Sequence, residues 1–177
     1  MLALVSSAVA SEVLPIEAQL VNEIFIPSWG LNREESDLML AKLRTARMNP
    51  DYETMLTDLY NVARNFDPKP FDPSLWQDAD DALAVEPTHQ VLIENPYVRI
   101  LEVVIPSGFD QDYHTHRWAG ITVDLIPSDF ILYSNGEQFL LHATDDPIWH
   151  HDEGQPLHRV TNVGKTAYVG IHIEIKN

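Results

Sequence analysis

The pattern of apolar and polar positions changes once along the chain. Before residue 67, apolar residues recur three or four positions apart, as on one face of a helix. After residue 88 they alternate with polar residues, as on a strand. Between these stretches, residues 67–88 carry four prolines and five aspartates and predict a rigid, irregular connection. The chain is therefore interpreted as an N-terminal segment, residues 1–86, and a strand-rich unit, residues 87–177.

The N-terminal segment predicts an extended lead-in followed by two helices. Residues 14–29 are punctuated by two prolines and are expected to be extended. Asn32 is a helix-capping residue type, and Asn49-Pro50 ends one helix and starts another that runs to Phe66. The two helices predict a helical hairpin. Its apolar stripe is expected to pack on the strand-rich unit or on a partner subunit, or alternatively to form a lid over a site.

The alternating part of the chain contains several short strands. Ser134-Asn-Gly-Glu137 joins two of them with the residues that a type I′ hairpin turn prefers. Many short strands at this spacing predict a mainly β sandwich or small barrel. The predicted strands cover residues 98–105, 121–125, 130–134, 138–141 and 167–175.

Charge and composition exclude some classes of partner. Acidic residues outnumber basic ones by 27 to 11, and the formal net charge of −16 argues against binding nucleic acid or an anionic membrane surface. The chain has no cysteine, hence no disulfide, thiolate ligand or cysteine nucleophile. No stretch reaches the roughly 20 apolar residues of a membrane span. Ala8-Val-Ala10 imitates a secretory cleavage site without a basic n-region, so export stays open beside a slightly favoured cytoplasmic location.

Two histidines one residue apart carry the clearest chemical signal. His114 and His116 are predicted to lie on an extended segment, where alternate side chains point to the same face. They could therefore bind one ion together. A third imidazole from a distant strand would complete a three-nitrogen site that Fe(II), Ni(II), Cu(II), Zn(II) or Mn(II) accepts.

Two motifs carry a family resemblance. Gly108, five residues and His114-Thr-His116 form the first, and Gly154-Gln-Pro-Leu-His158 with Asn162-Val-Gly164 forms the second. Together they resemble the two signature motifs of the cupin superfamily, over residues 87–176. The resemblance implies a cupin, or jelly-roll, barrel behind the N-terminal helical hairpin.

The resemblance also implies a ligand set. The metal ligands carried over are His114, His116 and His158. The glutamate that cupins usually have four or five residues after the second histidine is missing, because Gly120 and Ile121 stand there. This departure is similar to the three-histidine cupins, which include thiol dioxygenases and a diketone-cleaving dioxygenase. By analogy with cupins, a homodimer is expected.

The leading hypothesis for function is an Fe(II)-dependent oxygenase of the dioxygenase type. Three neutral ligands leave open positions on the ion and leave its positive charge uncompensated, so a small anionic or chelating molecule is the expected substrate. The alternatives are a non-catalytic cupin that binds a small molecule or metal, and a redox-silent isomerase or lyase that uses Zn(II), Ni(II) or Mn(II).

Four further residues are candidates for roles at the site. His150 and His151 precede the second motif and could exchange protons with a ligand in the cavity. Arg117 could pair with a substrate carboxylate, or form an exposed salt bridge. Asp124 could be a fourth ligand or orient one, although a solvated or turn-capping aspartate is the simpler interpretation. The other histidines are expected to be structural and hydrogen-bonded: His89, His142 and His172.

Overall fold

The computed structural model of the protein describes residues 12–73, 76–143 and 146–176. The segment Ala8-Val-Ala10, which imitates a cleavage site, lies outside the described residues. Within the described ranges, no helix combines the length and the apolar character that crossing a bilayer requires.

Among the described residues, four α-helices precede the first strand. Short 3₁₀ turns follow the second helix, at Arg44–Ala46, and precede the fourth, at Asp78–Asp80. The helices are α1 (Pro15–Leu20), which continues as a π-helical turn (Val21–Phe25), α2 (Arg33–Leu43), α3 (Tyr52–Asn65) and α4 (Ala82–Val85). The 3₁₀ turn Asp78–Asp80 and α4 lie inside residues 67–88, which were predicted to be irregular.

The lead-in over residues 14–29 was wrongly predicted to be extended. Pro15 occupies the first position of α1, where a missing backbone N–H costs nothing and the fixed φ suits a helix. The Glu17 carboxylate accepts a hydrogen bond from the Leu14 backbone N–H, at 3.0 Å. A proline that was interpreted as a break therefore starts a helix.

Both predicted helices are present. The capping role of Asn32 is confirmed, because its Oδ1 accepts from the Glu35 N–H at 3.0 Å and the Glu35 carboxylate accepts from the Asn32 N–H at 2.8 Å. The second of the two predicted helices is α3. It begins two residues beyond Pro50, after a turn in which the Asn49 side chain accepts a hydrogen bond from the Asp51 N–H. Helix α3 packs against α1 and against the π-helical turn that continues it.

The described residues form nine strands in two antiparallel sheets. One sheet has the order β1-β2-β9-β4-β7 and the other the order β3-β8-β5-β6. The type I′ turn is confirmed, because Asn135 and Gly136 both have positive φ, at 53° and 77°. The strands are β1 (His89–Glu94), β2 (Val98–Ile105), β3 (His114–His116), β4 (Gly120–Ile126), β5 (Phe130–Ser134), β6 (Glu137–Leu141), β7 (Ile148–His151), β8 (Gln155–Asn162) and β9 (Tyr168–Ile175).

The five-stranded sheet buries a different kind of side chain on each face. On its outer face, Ile121, Ile171 and Ile173 join one hydrophobic cluster with residues of the helices, including Phe25 and Leu56. Residues from both sides of the predicted boundary at residue 86 thus share a core. The alternate positions of β4 and β9 point into the barrel and include Thr122, His172 and Glu174, so the inside of the barrel is where chemistry is to be sought.

A buried ionic cluster holds the helices together. The carboxylate of Glu17 is fully buried and accepts from Arg44 at 2.7 and 2.9 Å and from the Tyr52 hydroxyl at 3.0 Å. Burial by itself raises the pKa of Glu17, but the hydrogen bonds from Arg44, the Leu14 amide and Tyr52 outweigh it and lower the pKa to about 2. The ionised carboxylate is therefore part of the folded state.

We expect Glu17→Gln to destabilise the fold in a pH-dependent way. A fall in pKa from 4.5 in the unfolded chain to about 2 corresponds to roughly 3 kcal/mol of stability. Because the folded pKa is the lower one, this contribution is complete above about pH 4.5 and is lost as the pH falls towards 2. Urea unfolding between about pH 6 and pH 3 measures it.

The exposed strand residue Glu137 offers a matched control, since Glu137→Gln removes a carboxylate that lies in solvent. The deficit of Glu17→Gln relative to the parent chain should shrink as the pH falls. A deficit of constant size across the range would contradict the assignment.

Candidate metal centre

Five histidines meet inside the barrel. All eight histidines of the chain lie in the described ranges, and these five are buried. They come from the strands β1, β3, β8 and β9, which belong to both sheets. We call them the histidine cluster: His89, His114, His116, His158 and His172.

The three histidines carried over from the motif resemblance are brought together by strand pairing. His114 lies opposite His158 in the β3–β8 register, and their ring centroids are 4.5 Å apart. His116 lies on the same face of β3, with ring centroids 5.3 Å from His114 and 5.5 Å from His158. The pairing of β3 with β8 therefore brings together the three histidines that the motif resemblance grouped.

His89 was expected to be a structural histidine, but it faces the same centre. Its ring centroid lies 4.9 Å from that of His114 and 5.2 Å from that of His116. One ligand nitrogen from each of these three residues lies within 4.8 Å of the others, which is a spacing that suits a shared ion. His89 reaches this position because β1 pairs with β2, where His89 lies opposite Val103. No local spacing in the sequence indicates that pairing.

Hydrogen bonds leave one nitrogen of each ring free. The Nδ1 of His114 lies 2.9 Å from the Asp112 carbonyl oxygen, and the Nδ1 of His158 lies 2.9 Å from the Pro156 carbonyl oxygen. A carbonyl only accepts, so both Nδ1 atoms carry the proton and each Nε2 keeps its lone pair. These donors fit a divalent transition metal, which binds neutral imidazole through that lone pair.

His116 is oriented by a buried carboxylate. Its Nδ1 lies 2.9 Å from Glu174 Oε1, and the same carboxylate accepts from Arg99 Nη2 at 2.9 Å. Arg99 Nη2 also donates to Asp81, at 2.9 Å. Burial raises the pKa of Glu174 to about 7, although the hydrogen bond from Arg99 opposes the rise. The pair of carboxylates and one guanidinium thus fixes the ring of His116.

The cluster is uncharged at ordinary pH. Burial lowers the pKa of every one of its rings, and the pKa of His158 falls to about 3. Neighbouring imidazoles lower several of these pKa values further, because they disfavour a second positive charge. A metal ion binds neutral imidazole, so it needs to displace no proton here.

His172 fills the space beside the position of the missing glutamate. Its Nδ1 lies 2.8 Å from the Thr122 hydroxyl, and its ring centroid lies 4.4 Å from that of His116. A Cβ atom on Gly120 would come within 3.1 Å of two ring atoms of His172. Glycine at position 120 therefore makes room for an imidazole from the neighbouring strand. The Nε2 of His172 has no hydrogen-bond partner among the described residues.

A cavity of about 400 Å³ opens from the cluster. His151 lines it and contacts Gln155, whereas His150 lies outside, with the edge of its ring on Phe66. Arg117 does not line this cavity either. Its guanidinium stacks on aromatic side chains beside a separate surface groove, and His142 lies exposed at the cavity rim. The structure thus brings His151, but not His150 or Arg117, to the histidines.

Asp124 is a half-buried carboxylate in the cavity wall. Its Oδ1 accepts from the Tyr168 hydroxyl at 2.6 Å and from Trp149 Nε1 at 3.4 Å. Burial raises its pKa, and the hydrogen bonds from Tyr168 and Trp149 oppose the rise. It lies within β4 and accepts hydrogen bonds from side chains of β7 and β9, so it does not cap a turn.

The two antiparallel sheets, their strand order, and the pairing of His114-Thr-His116 with His158 define a cupin barrel of the double-stranded β-helix type. The described residues thus have the cupin type of barrel fold, preceded by N-terminal helices. No family model and no curated protein matches the sequence.

Solved structures similar to this chain include three cupins. A cupin domain from Bordetella pertussis Tohama I has 25% identity over 50% of this chain and 92% of its own, with a TM-score of 0.46. An RmlC-like cupin from Methanocaldococcus jannaschii has 14% identity over 61% and 90%, with a TM-score of 0.42. A cupin superfamily protein from Desulfitobacterium hafniense DCB-2 has 10% identity over 62% and 100%, with a TM-score of 0.40. Their names state no ligand and no reaction.

We expect Arg99→Met to cost about 3–5 kcal/mol of stability, because it leaves two buried carboxylates without their counter-charge. Chemical denaturation at neutral pH measures the cost. Arg33→Met is the matched control, since Arg33 and Asp37 form an exposed pair and its loss should cost less than about 0.5 kcal/mol. Equal costs for the two variants would contradict a structural role for the buried network.

Proposed function

We propose that four imidazoles of the histidine cluster bind a divalent transition metal, Fe(II) in the functional protein, and that the barrel is a dioxygenase-type oxygenase of a small chelating molecule. The observation that carries the proposal is the mutual spacing of the ligand nitrogens of His89, His114 and His116. His158, which packs against His114 on the neighbouring strand, is proposed as the fourth imidazole. Zn(II), Ni(II), Mn(II) and Cu(II) are also compatible with such donors.

The geometry of the chain supports metal binding in two ways. The Nδ1 atoms of His114, His116 and His158 are held by hydrogen bonds, so their rings are fixed before an ion arrives. The rings are also buried and neutral. Metal binding therefore requires little further ordering of these rings and no loss of a proton from their Nε2 atoms.

The donor set supports redox chemistry on a chelating ligand. Four neutral nitrogens leave two positions on a six-coordinate ion and leave its charge uncompensated, which favours a ligand with two oxygen or sulfur donors. When bound, Fe(II) would supply the electron-transfer chemistry that a reaction with dioxygen requires. The protein's own part is to orient the imidazoles through Glu174 and the two carbonyls, and to exclude bulk water from a cavity of about 400 Å³.

We expect the chain to bind one equivalent of Zn(II) or Fe(II), measured by elemental analysis and by competition with a chromophoric chelator. Loss of an orienting partner typically costs about 10–100-fold in metal affinity, so loss of a ligand should cost more. His114→Ala and His116→Ala should therefore lower the affinity by more than about 100-fold. His89→Ala and His158→Ala should each lower it as well, which tests the two proposed additions to that pair.

The matched control is His150→Ala, which removes an imidazole from outside the barrel and should leave metal affinity unchanged. Circular dichroism of each variant separates lost binding from lost folding. If the cluster variants bind metal as tightly as the parent chain, the metal centre is not where we propose.

Oxygen uptake tests the reaction class. The apo chain reconstituted with Fe(II) should consume dioxygen with at least one member of a panel of small thiols, 1,3-diketones and catechols. The Zn(II)-loaded chain and the His116→Ala variant should consume none, because the first lacks a redox-active ion and the second lacks a ligand. Fe(II) binding without oxygen uptake across the panel would contradict the oxygenase and favour a redox-silent role for the same centre.

A further inference from the structure

The cavity has a polar end and an apolar end, and strand register fixes their order. Along β9, Glu174, His172, Gly170 and Tyr168 point into the barrel in turn, so the step from His172 to Gly170 is about 6.6 Å. Towards Tyr168 the lining becomes apolar. Its apolar side chains belong to β2, β5 and β8: Val103, Ile105, Phe130, Leu132 and Val160.

Asp124 lies one step from the histidines towards this apolar end. It pairs with Gly170 in the β4–β9 register, whereas Thr122 pairs with His172. Both of its hydrogen bonds, from Tyr168 and Trp149, end on Oδ1, and no described residue donates to Oδ2. Asp124 lines the cavity, so Oδ2 is an acceptor that a ligand can use.

Gly170 makes this arrangement sterically feasible. A Cβ atom at position 170 would lie 2.1 Å from the Tyr168 hydroxyl oxygen. The Tyr168 side chain therefore lies across the glycine, which lets its buried hydroxyl reach Asp124. Residues of β4 and β9 thus hold one half-buried carboxyl group beside the apolar side chains of the wall. Its second oxygen has no donor among the described residues and is open to a donor on a ligand.

The described part of the cavity lining offers no lysine or arginine to balance a second negative charge on a ligand. Among the described residues that line the cavity there is no lysine or arginine, and the formally charged ones are Asp124 and Asp146. Arg117, the candidate partner for a substrate carboxylate, stacks on Phe71 and Trp76 elsewhere. An anionic group beyond the chelating atoms would meet a carboxyl group and apolar surface.

We infer that the ligand is a small chelating molecule whose body is uncharged and apolar and which carries a neutral hydrogen-bond donor, such as a hydroxyl group, to Asp124. This inference rests on the proposed function, because it takes the histidine cluster as the place where the chelating atoms bind. It narrows the substrate class, since it excludes molecules with a second anionic group at the far end.

Three catechols with the same chelating oxygens test the inference: 4-methylcatechol, 4-(hydroxymethyl)catechol and 3,4-dihydroxybenzoate. Their binding to the Zn(II)-loaded full chain, without oxygen, is measured by calorimetry. The hydroxymethyl compound should bind best, and the carboxylate at least about tenfold more weakly than the methyl compound. In Asp124→Asn that penalty should fall below about threefold, whereas Glu137→Gln should leave it unchanged.

Tyr168→Phe provides a second variant, because it keeps the carboxyl group and should keep the tenfold discrimination. The series on the parent chain remains decisive even if a variant does not fold. If the carboxylate binds as well as the methyl compound, or if Zn(II) binds and no catechol does, the inference is overturned while the metal centre stands. If Zn(II) itself does not bind, the proposed function fails and the inference fails with it.

Discussion

The buried guanidinium of Arg99 is the interaction on which the architecture depends. It lies between Asp81, just before α4, and Glu174, near the end of β9, and Glu174 in turn holds the ring of His116. A charge this deep in the protein is tolerated only with partners in place. The Arg99 side chain therefore connects the segment before α4 to β9 and, through Glu174, to His116 on the short strand β3. A change in the packing of these elements would therefore alter the position of the His116 ring.

The alternation along β9 separates stability from chemistry. Ile171 and Ile173 face outward into the hydrophobic cluster with the helices, while His172 and Glu174 face inward. In an antiparallel sheet with one solvated face, the polar side chains would meet water. In this protein the polar side chains contact one another inside the barrel, because the helices cover the outer, apolar face of the sheet. The interior holds histidines and carboxylates, while the larger hydrophobic cluster lies between the sheet and the helices.

Local signals in the sequence predicted what is local in the structure. The five strands predicted from alternation, the turn at Asn135 and the cap at Asn32 depend on neighbours within a few residues, as does the pair His114 and His116. Strands β1, β7 and β8 were not predicted. Pro15 was misinterpreted because proline both breaks helices and starts them, and the difference lies in its position in the first turn. The motif resemblance supplied His158.

The parts of the site that the sequence did not reveal depend on register. His89 lies in the cluster because of its pairing across β1 and β2, and His172 lies there because of its pairing with Thr122. Neither has another histidine within ten residues of it in the chain. The same holds for Asp124, whose hydrogen bond to Tyr168 joins residues 44 positions apart. Such contacts become readable only once the order of the strands is known.

The apolar outer face has a practical consequence for work on this chain. The proline-rich stretch marks a tempting place to cut, yet Phe25 and Leu56 on one side and Ile121 and Ile173 on the other belong to one hydrophobic cluster. A fragment trimmed to its barrel would present that sheet to water and to other copies of itself. The helices are therefore an integral layer of the fold, because they cover the apolar outer face of the sheet.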